Sequence, residues 1–254
     1  MGGTIRLFRF SGIQVYLHFS WFLVAAYELT QRRGVYRSPV YALCEYVALF
    51  AIVLMHEFGH ALACRQTGGT ANQIVLWPLG GIAFVSPPRR PGAMLWSIAA
   101  GPLVNVVLFP ILTAVTLLVE SPSRGAGGPD IARFWSNVWW VNIVLLVFNM
   151  LPVYPLDGGQ ILRSLLWFGV GEIRSLQIAS AIGIVGGVAV AGLLWFMGND
   201  VFWTAIMAFF LISRAVAGWQ YAKALIREEE ANRAARLVPT VPESERPLPP
   251  AAGR

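Results

Sequence analysis

Six stretches of the chain are apolar over roughly the length of a bilayer-crossing helix, and the polar residues fall mostly between them. They run from about Val15 to Leu29, Val40 to Ala63, Ala93 to Val119, Phe134 to Leu151, Leu176 to Met197 and Val201 to Ala222. A hydrocarbon core of about 30 Å takes about 20 residues of helix to cross. The first stretch falls short of that and is expected to be tilted, partly interfacial or extended by its flanking aromatics. The pattern predicts an all-α polytopic membrane protein of about six transmembrane helices.

Two segments break the pattern. Between the second and third stretches lies TGGTANQIVLWPLGGIAFVSPPRR, Thr67 to Arg90. Its β-branched and aromatic residues, interrupted by Pro78 and the pair Gly80-Gly81, read as short strands. A small β-hairpin or sheet at the membrane face is expected there, with a structured loop as the plainer alternative. After Ala222 the sequence KALIREEEANRAARL reads as a polar helical extension, followed by a proline-rich tail with the composition of disorder. The expected division is a membrane core over residues 1–222 and an appendage over 223–254.

Composition supports the membrane reading. Of 254 residues, 56% are hydrophobic and 13% are charged, against about 25% charged in soluble domains. The net charge of +6 does not point to nucleic acid, because the arginines flank apolar stretches instead of forming a patch. Arg6, Arg9, Arg65, Arg89, Arg90, Arg163, Arg174 and the basic residues from Arg214 onward gather on one side of the six-span arrangement. By the positive-inside rule this gives a multi-pass protein of the cell membrane with both termini cytoplasmic. Cys44 and Cys64 sit twenty residues apart on one expected helix, on the order of 30 Å, too far for a disulfide. Arg6 and Arg9 precede an apolar run as in a signal peptide, but no small-residue cleavage site follows, so the run is read as a retained span.

The second stretch carries the chemistry. In IVLMHEFGHALA, Ile52 to Ala63, two of the three histidines flank a glutamate in an otherwise oily helix. His56 and His60, four apart, share one helical face and can reach a single zinc ion. Glu57 stands beside the first ligand, where it can take a proton from the attacking water. Ionisable groups inside a membrane are costly unless they work; the alternative is hydrogen bonding between helices. A catalytic zinc needs a third protein ligand, and His18 is the only other histidine. Asp157 stands out in NMLPVYPLDGGQIL, where Pro152 and Pro155 break the fourth stretch and Gly158-Gly159 permit a sharp turn. Asp157 also suits a helix cap for the residues that follow, and both roles can hold together.

HEFGH on one span and N-x-x-P-x-x-P-L-D-G-G, Asn149 to Gly159, on a later one resemble the site-2 protease family of intramembrane zinc metalloproteases. The resemblance runs from about residue 5 to 222 and lacks the PDZ insertion and CBS pair carried by many members. It implies one zinc per chain held by His56, His60 and Asp157, with Glu57 as catalytic acid/base and Asn149 at the substrate carbonyl or its oxyanion. It also implies a transmembrane protein as substrate, cut within the lipid bilayer. Gly-Pro-x-x-Asn stretches like Gly101 to Asn105 occur in the family, so Asn105 is expected near the substrate, with plain helix packing as the alternative. The strand-like segment, with Gly80 and Gly81, offers an edge to which an unwound substrate can add. The competing functional classes are a membrane transporter and a metal-binding or helix-binding pseudoprotease; Glu57 favours hydrolysis, since binding alone does not need it.

Overall fold

The computed structural model describes residues 3–32, 34–77, 80–120, 129–198 and 201–237. The expected proline-rich tail beyond Leu237 lies outside them. The elements run β1 (Thr4–Phe10), β2 (Ile13–His18), α1 (Ser20–Gln31), α2 (Pro39–Gln66), β3 (Thr70–Trp77), β4 (Gly80–Ser86), α3 (Pro91–Glu120), α4 (Pro129–Met150), α5 (Asp157–Val170), α6 (Glu172–Phe196) and α7 (Val201–Leu237). Three of the long helices begin on proline, whose fixed φ and missing N–H suit the first helical position.

Among the described residues five helices, α2, α3, α4, α6 and α7, are long and apolar enough to cross a membrane. The first expected span differs. Val15 to His18 belong to strand β2, and α1 has 12 residues, about 18 Å of helix, too short to cross alone. The apolar run was real, but strand and helix share it. The polar extension continues α7 without a break to Leu237.

The expected hairpin is β3–β4, and it belongs to a larger mixed sheet in the order β1-β2-β3-β4. β2 and β3 are parallel, and the two outer pairs are antiparallel. The β1–β2 turn has positive φ at both Ser11 and Gly12, the backbone twist favoured in two-residue hairpins. The inner strands pack on the C-terminal half of α2: Ile13, Val15, Ala71, Ile74 and Leu76 bury against Val53, Ala61 and Cys64. Arg65, in the last turn of α2, donates to the carbonyls of Ser11 and Ala71, so the helix end is tied to both hairpins.

On the other side α2 packs against α3 and α4 through Ile52, Leu112 and Val138. Toward its N-terminal end, buried Glu45 accepts from Tyr36 Oη at 2.5 Å and Asn137 Nδ2 at 3.1 Å and pairs with Arg32 at 2.8 Å. This joins the α1–α2 connection to α4. Asp130 at the start of α4 takes the N–H groups of Arg37 and Ser38. The segment between α4 and α5 packs Val153 and Leu156 onto Leu211 of α7. It fits because α6 is bare where it passes: a methyl on Gly183 would stand 2.4 Å from the Tyr154 carbonyl oxygen.

Gly183→Val should therefore lower the thermal midpoint of the detergent-solubilised protein, by about 1–3 kcal/mol of overpacking. Gly192→Val, where nothing lies within 4 Å, should stay near wild type. Equal midpoints in a thermal-shift assay would contradict the described seat of the 151–156 segment.

Candidate active site

α2, α3 and α5 assemble the site. His56, Glu57 and His60 are all buried on α2, and their ligand atoms lie within 4.8 Å of one another. The two imidazole Nε2 atoms are 3.0 Å apart. Asp157 brings Oδ2 to 3.0 Å from His56 Nε2 and 3.4 Å from His60 Nε2. Its helix α5 starts where the proline-rich segment ends. Leu156 is the N-cap, and no side chain caps the helix, so the Asp157 carboxylate is left for the histidines. A methyl on Gly158 would stand 2.3 Å from the Met150 carbonyl oxygen, which seats this turn directly on the end of α4.

The outer nitrogens of both rings are already engaged. His56 Nδ1–H donates to Asn105 Oδ1 at 2.7 Å, and His60 Nδ1–H donates to the Ser97 carbonyl at 2.9 Å. Asn105 is held in turn: its Nδ2 donates to Asn142 Oδ1 at 2.9 Å, and Asn142 Nδ2 donates to the Asn105 carbonyl at 3.0 Å. With the protons on Nδ1, the two Nε2 atoms face each other as lone pairs. Asp157 Oδ2 is buried without a hydrogen-bond partner. Three electron-pair donors converging with no proton between them fit a cation, and two imidazoles with one carboxylate are a donor set for zinc. Outer hydrogen bonds of this kind fix ring orientation and tautomer at metal sites.

α3 makes room for the rings as well as orienting them. A methyl on Gly101 would lie 2.2 Å from His60 Nε2. Ser97, Gly101 and Asn105 recur every four residues, so they form the helix face turned to α2. Asn105 is fully buried behind His56, not at the cavity where the sequence reading put it. The helix-packing alternative describes it better. The four-residue period of small and polar residues was the signal for this face.

In front of the histidines opens a cavity of about 530 Å³. Glu57, Asn149 and Asp157 line it with the two rings, as do Val85 of β4, Tyr154, Gln160 and, from α7, Phe210, Arg214 and Tyr221. Asn149 thus shares the cavity with the histidines and Asp157. Gly80 and Gly81 pair by backbone with Trp77 and Leu76 at the turn end of the hairpin. Cys64 Sγ meets the Thr70 carbonyl, His18 stacks on Trp77, and Glu45 joins the Tyr36 cluster. The sequence reading missed Gln160 and Arg214 as cavity residues. Arg214 was legible as a lone charge within an apolar run but was counted only as a positive flank.

Membrane-length helices around a buried His-Glu-His cluster, with Asp157 beside it, define a polytopic membrane protein with a metallopeptidase-type centre. Sequence models of this kind match: "Peptidase M50B-like" over residues 20–124 and "Peptidase family M50" over residues 126–193. The chain is similar to this family over both matched stretches. It is 29% identical to a candidate zinc metalloprotease of Synechocystis sp. over 95% of this chain and 66% of that protein. It is 30% identical to a zinc metalloprotease of Methanocaldococcus jannaschii over 72% of this chain and 51% of that one. The chain thus spans between about half and two thirds of the length of these relatives. Its fold matches the site-2 protease from Methanocaldococcus jannaschii with a TM-score of 0.60 at 24% identity, covering 85% of this chain and 95% of that one.

Replacing Asn105 by Ala should loosen His56 and lower zinc affinity about 10- to 100-fold, read by competition with a chromophoric chelator. A substrate-contacting Asn105 would instead leave zinc affinity at the wild-type value.

Proposed function

We propose that this protein is an intramembrane zinc endopeptidase that cuts transmembrane segments of other membrane proteins, in the manner of regulated intramembrane proteolysis. The observation that carries the reading is the convergence of His56 Nε2, His60 Nε2 and Asp157 Oδ2 beside Glu57, in a cavity among membrane-length helices. When bound there, zinc supplies Lewis-acid polarisation of the scissile carbonyl and acidification of water.

His56, His60 and Asp157 hold the ion, one per chain, and Asn105 and Ser97 keep the rings aimed. Glu57 accepts the proton of the attacking water and returns it to the departing amide nitrogen, as a positioned carboxylate can. Asn149, in the last turn of α4, donates a hydrogen bond to the carbonyl oxygen as negative charge develops on it. A substrate helix hides its peptide bonds and must unwind locally to be cut. Among the described residues β4 is an edge strand of the sheet, and its Val85 lines the cavity, so an unwound segment adds alongside β4 past Gly80 and Gly81. In this reading residues 1–222 are the catalytic core, residues 223–254 are an appendage, and both termini are cytoplasmic.

Glu57→Gln should retain about one zinc per chain and lose cleavage of a reconstituted transmembrane substrate by at least about 10²-fold. Asp157→Ala should lose zinc as well as activity. Metal content by elemental analysis and cleavage by gel assay are read on the same preparations. Full proteolysis by Glu57→Gln would sink the mechanism.

A further inference from the structure

The cavity holds one charge that peptide hydrolysis does not use. Arg214 lies within the apolar stretch of α7, well before the polar extension begins at Lys223. Nine residues, about 13 Å of helix, separate Arg214 from Lys223. The same nine separate His56 from Arg65 at the end of α2. Arg214 and the histidines, each that far from the polar end of its helix, line the same cavity. A charge within an apolar stretch is expensive to keep unless it has a task.

Among the described residues lining the cavity, Arg214 is the sole arginine or lysine, and no carboxylate pairs with it. Its guanidinium rests 5.8 Å from the centre of the Phe210 ring, one turn earlier on α7. That contact positions the group and leaves its donors open. The charges can be counted. A divalent ion is offset by the carboxylates of Glu57 and Asp157, so Arg214 leaves the loaded cavity with one net positive charge. A neutral peptide segment does not balance that charge, whereas one carboxylate does. The planar fork of a guanidinium takes a carboxylate through two parallel hydrogen bonds, and low dielectric strengthens the pair.

We propose that Arg214 is a specificity-determining residue that takes an acidic side chain of the transmembrane segment bound in the cavity. The inference rests on the protease reading for its substrate class. Acidic residues are rare in membrane spans, so the contact selects sharply among them, and it draws an otherwise apolar helix toward the polar cavity.

The test uses the full zinc-loaded chain in nanodiscs with Glu57 kept, so that the charge count is unchanged, and binding is read in the first seconds, before turnover. A single Glu is walked along a fluorescent 20-residue apolar peptide, and each version is compared with its Gln isostere by anisotropy. At one set of positions Glu should bind about tenfold or more tightly than Gln. That ratio should fall to about one in Arg214→Gln, persist in Arg214→Lys, and shift toward Lys-bearing peptides in Arg214→Glu. Arg227→Gln, on the polar extension of α7, should keep the wild-type ratio. Absence of any Glu preference without a change at Arg214, or its survival in Arg214→Gln, overturns the proposal. Cleavage of the same peptides by the same protein is followed afterwards. Glu-selective binding without cleavage would remove the protease reading and leave the Arg214 assignment standing.

Discussion

Two imidazoles whose Nδ1 hydrogens are already committed, to Asn105 and to a carbonyl of α3, set the terms for the rest of this molecule. They leave two lone pairs and one carboxylate facing one another in an apolar bundle. Such a cluster repels itself unless a cation occupies its focus, and it cannot relax into water. The surrounding structure holds it in place. α3 is bare at Gly101 so that the His60 ring fits, and the Asn105–Asn142 pair locks α3 to α4 through reciprocal amide bonds. The chain after α4 turns sharply so that a carboxylate arrives from the opposite side.

The same constraint explains why helix-breaking residues concentrate between α4 and α5. An ordinary continuation of α4 would carry the next carboxylate past the histidines along the helix axis. Ending α4 at Met150 and restarting at Asp157 puts a fresh helix N-terminus at the site, where the peptide dipole also favours negative charge. The irregular backbone is tolerated because it is packed on α6 and α7 and lines the cavity, the setting in which such segments survive at membrane depth.

Much of this was legible in the sequence, for physical reasons. HEFGH declares itself because two histidines four apart share a helix face whatever surrounds them. LPVYPLDGG does so because proline and glycine act on the backbone locally. The hairpin of Thr70 to Ser86 was legible from its β-branched residues and breakers. The N-terminal strands were not, since the apolar run through Val15 continues into α1 and hydrophobicity alone does not separate a short buried strand from a helix. Asn105 was seen but misplaced: the sequence says that an asparagine lies on α3, whereas only packing says that it stands behind a ring instead of before it. Arg214 was hidden by its own plausibility, because an arginine followed by further basic residues passes for part of a topological signal.

Arg65 gives the sheet a mechanical meaning. Its guanidinium binds carbonyls of the β1–β2 turn and of β3, while the strands behind it pack on the same half of α2 that carries the histidines. Sheet and helix end therefore form one stiff lever, with the metal-binding rings a few turns from the bolt. Asp157 comes from a separate helix, so the three donors align only while the sheet, α2 and α5 keep this one arrangement.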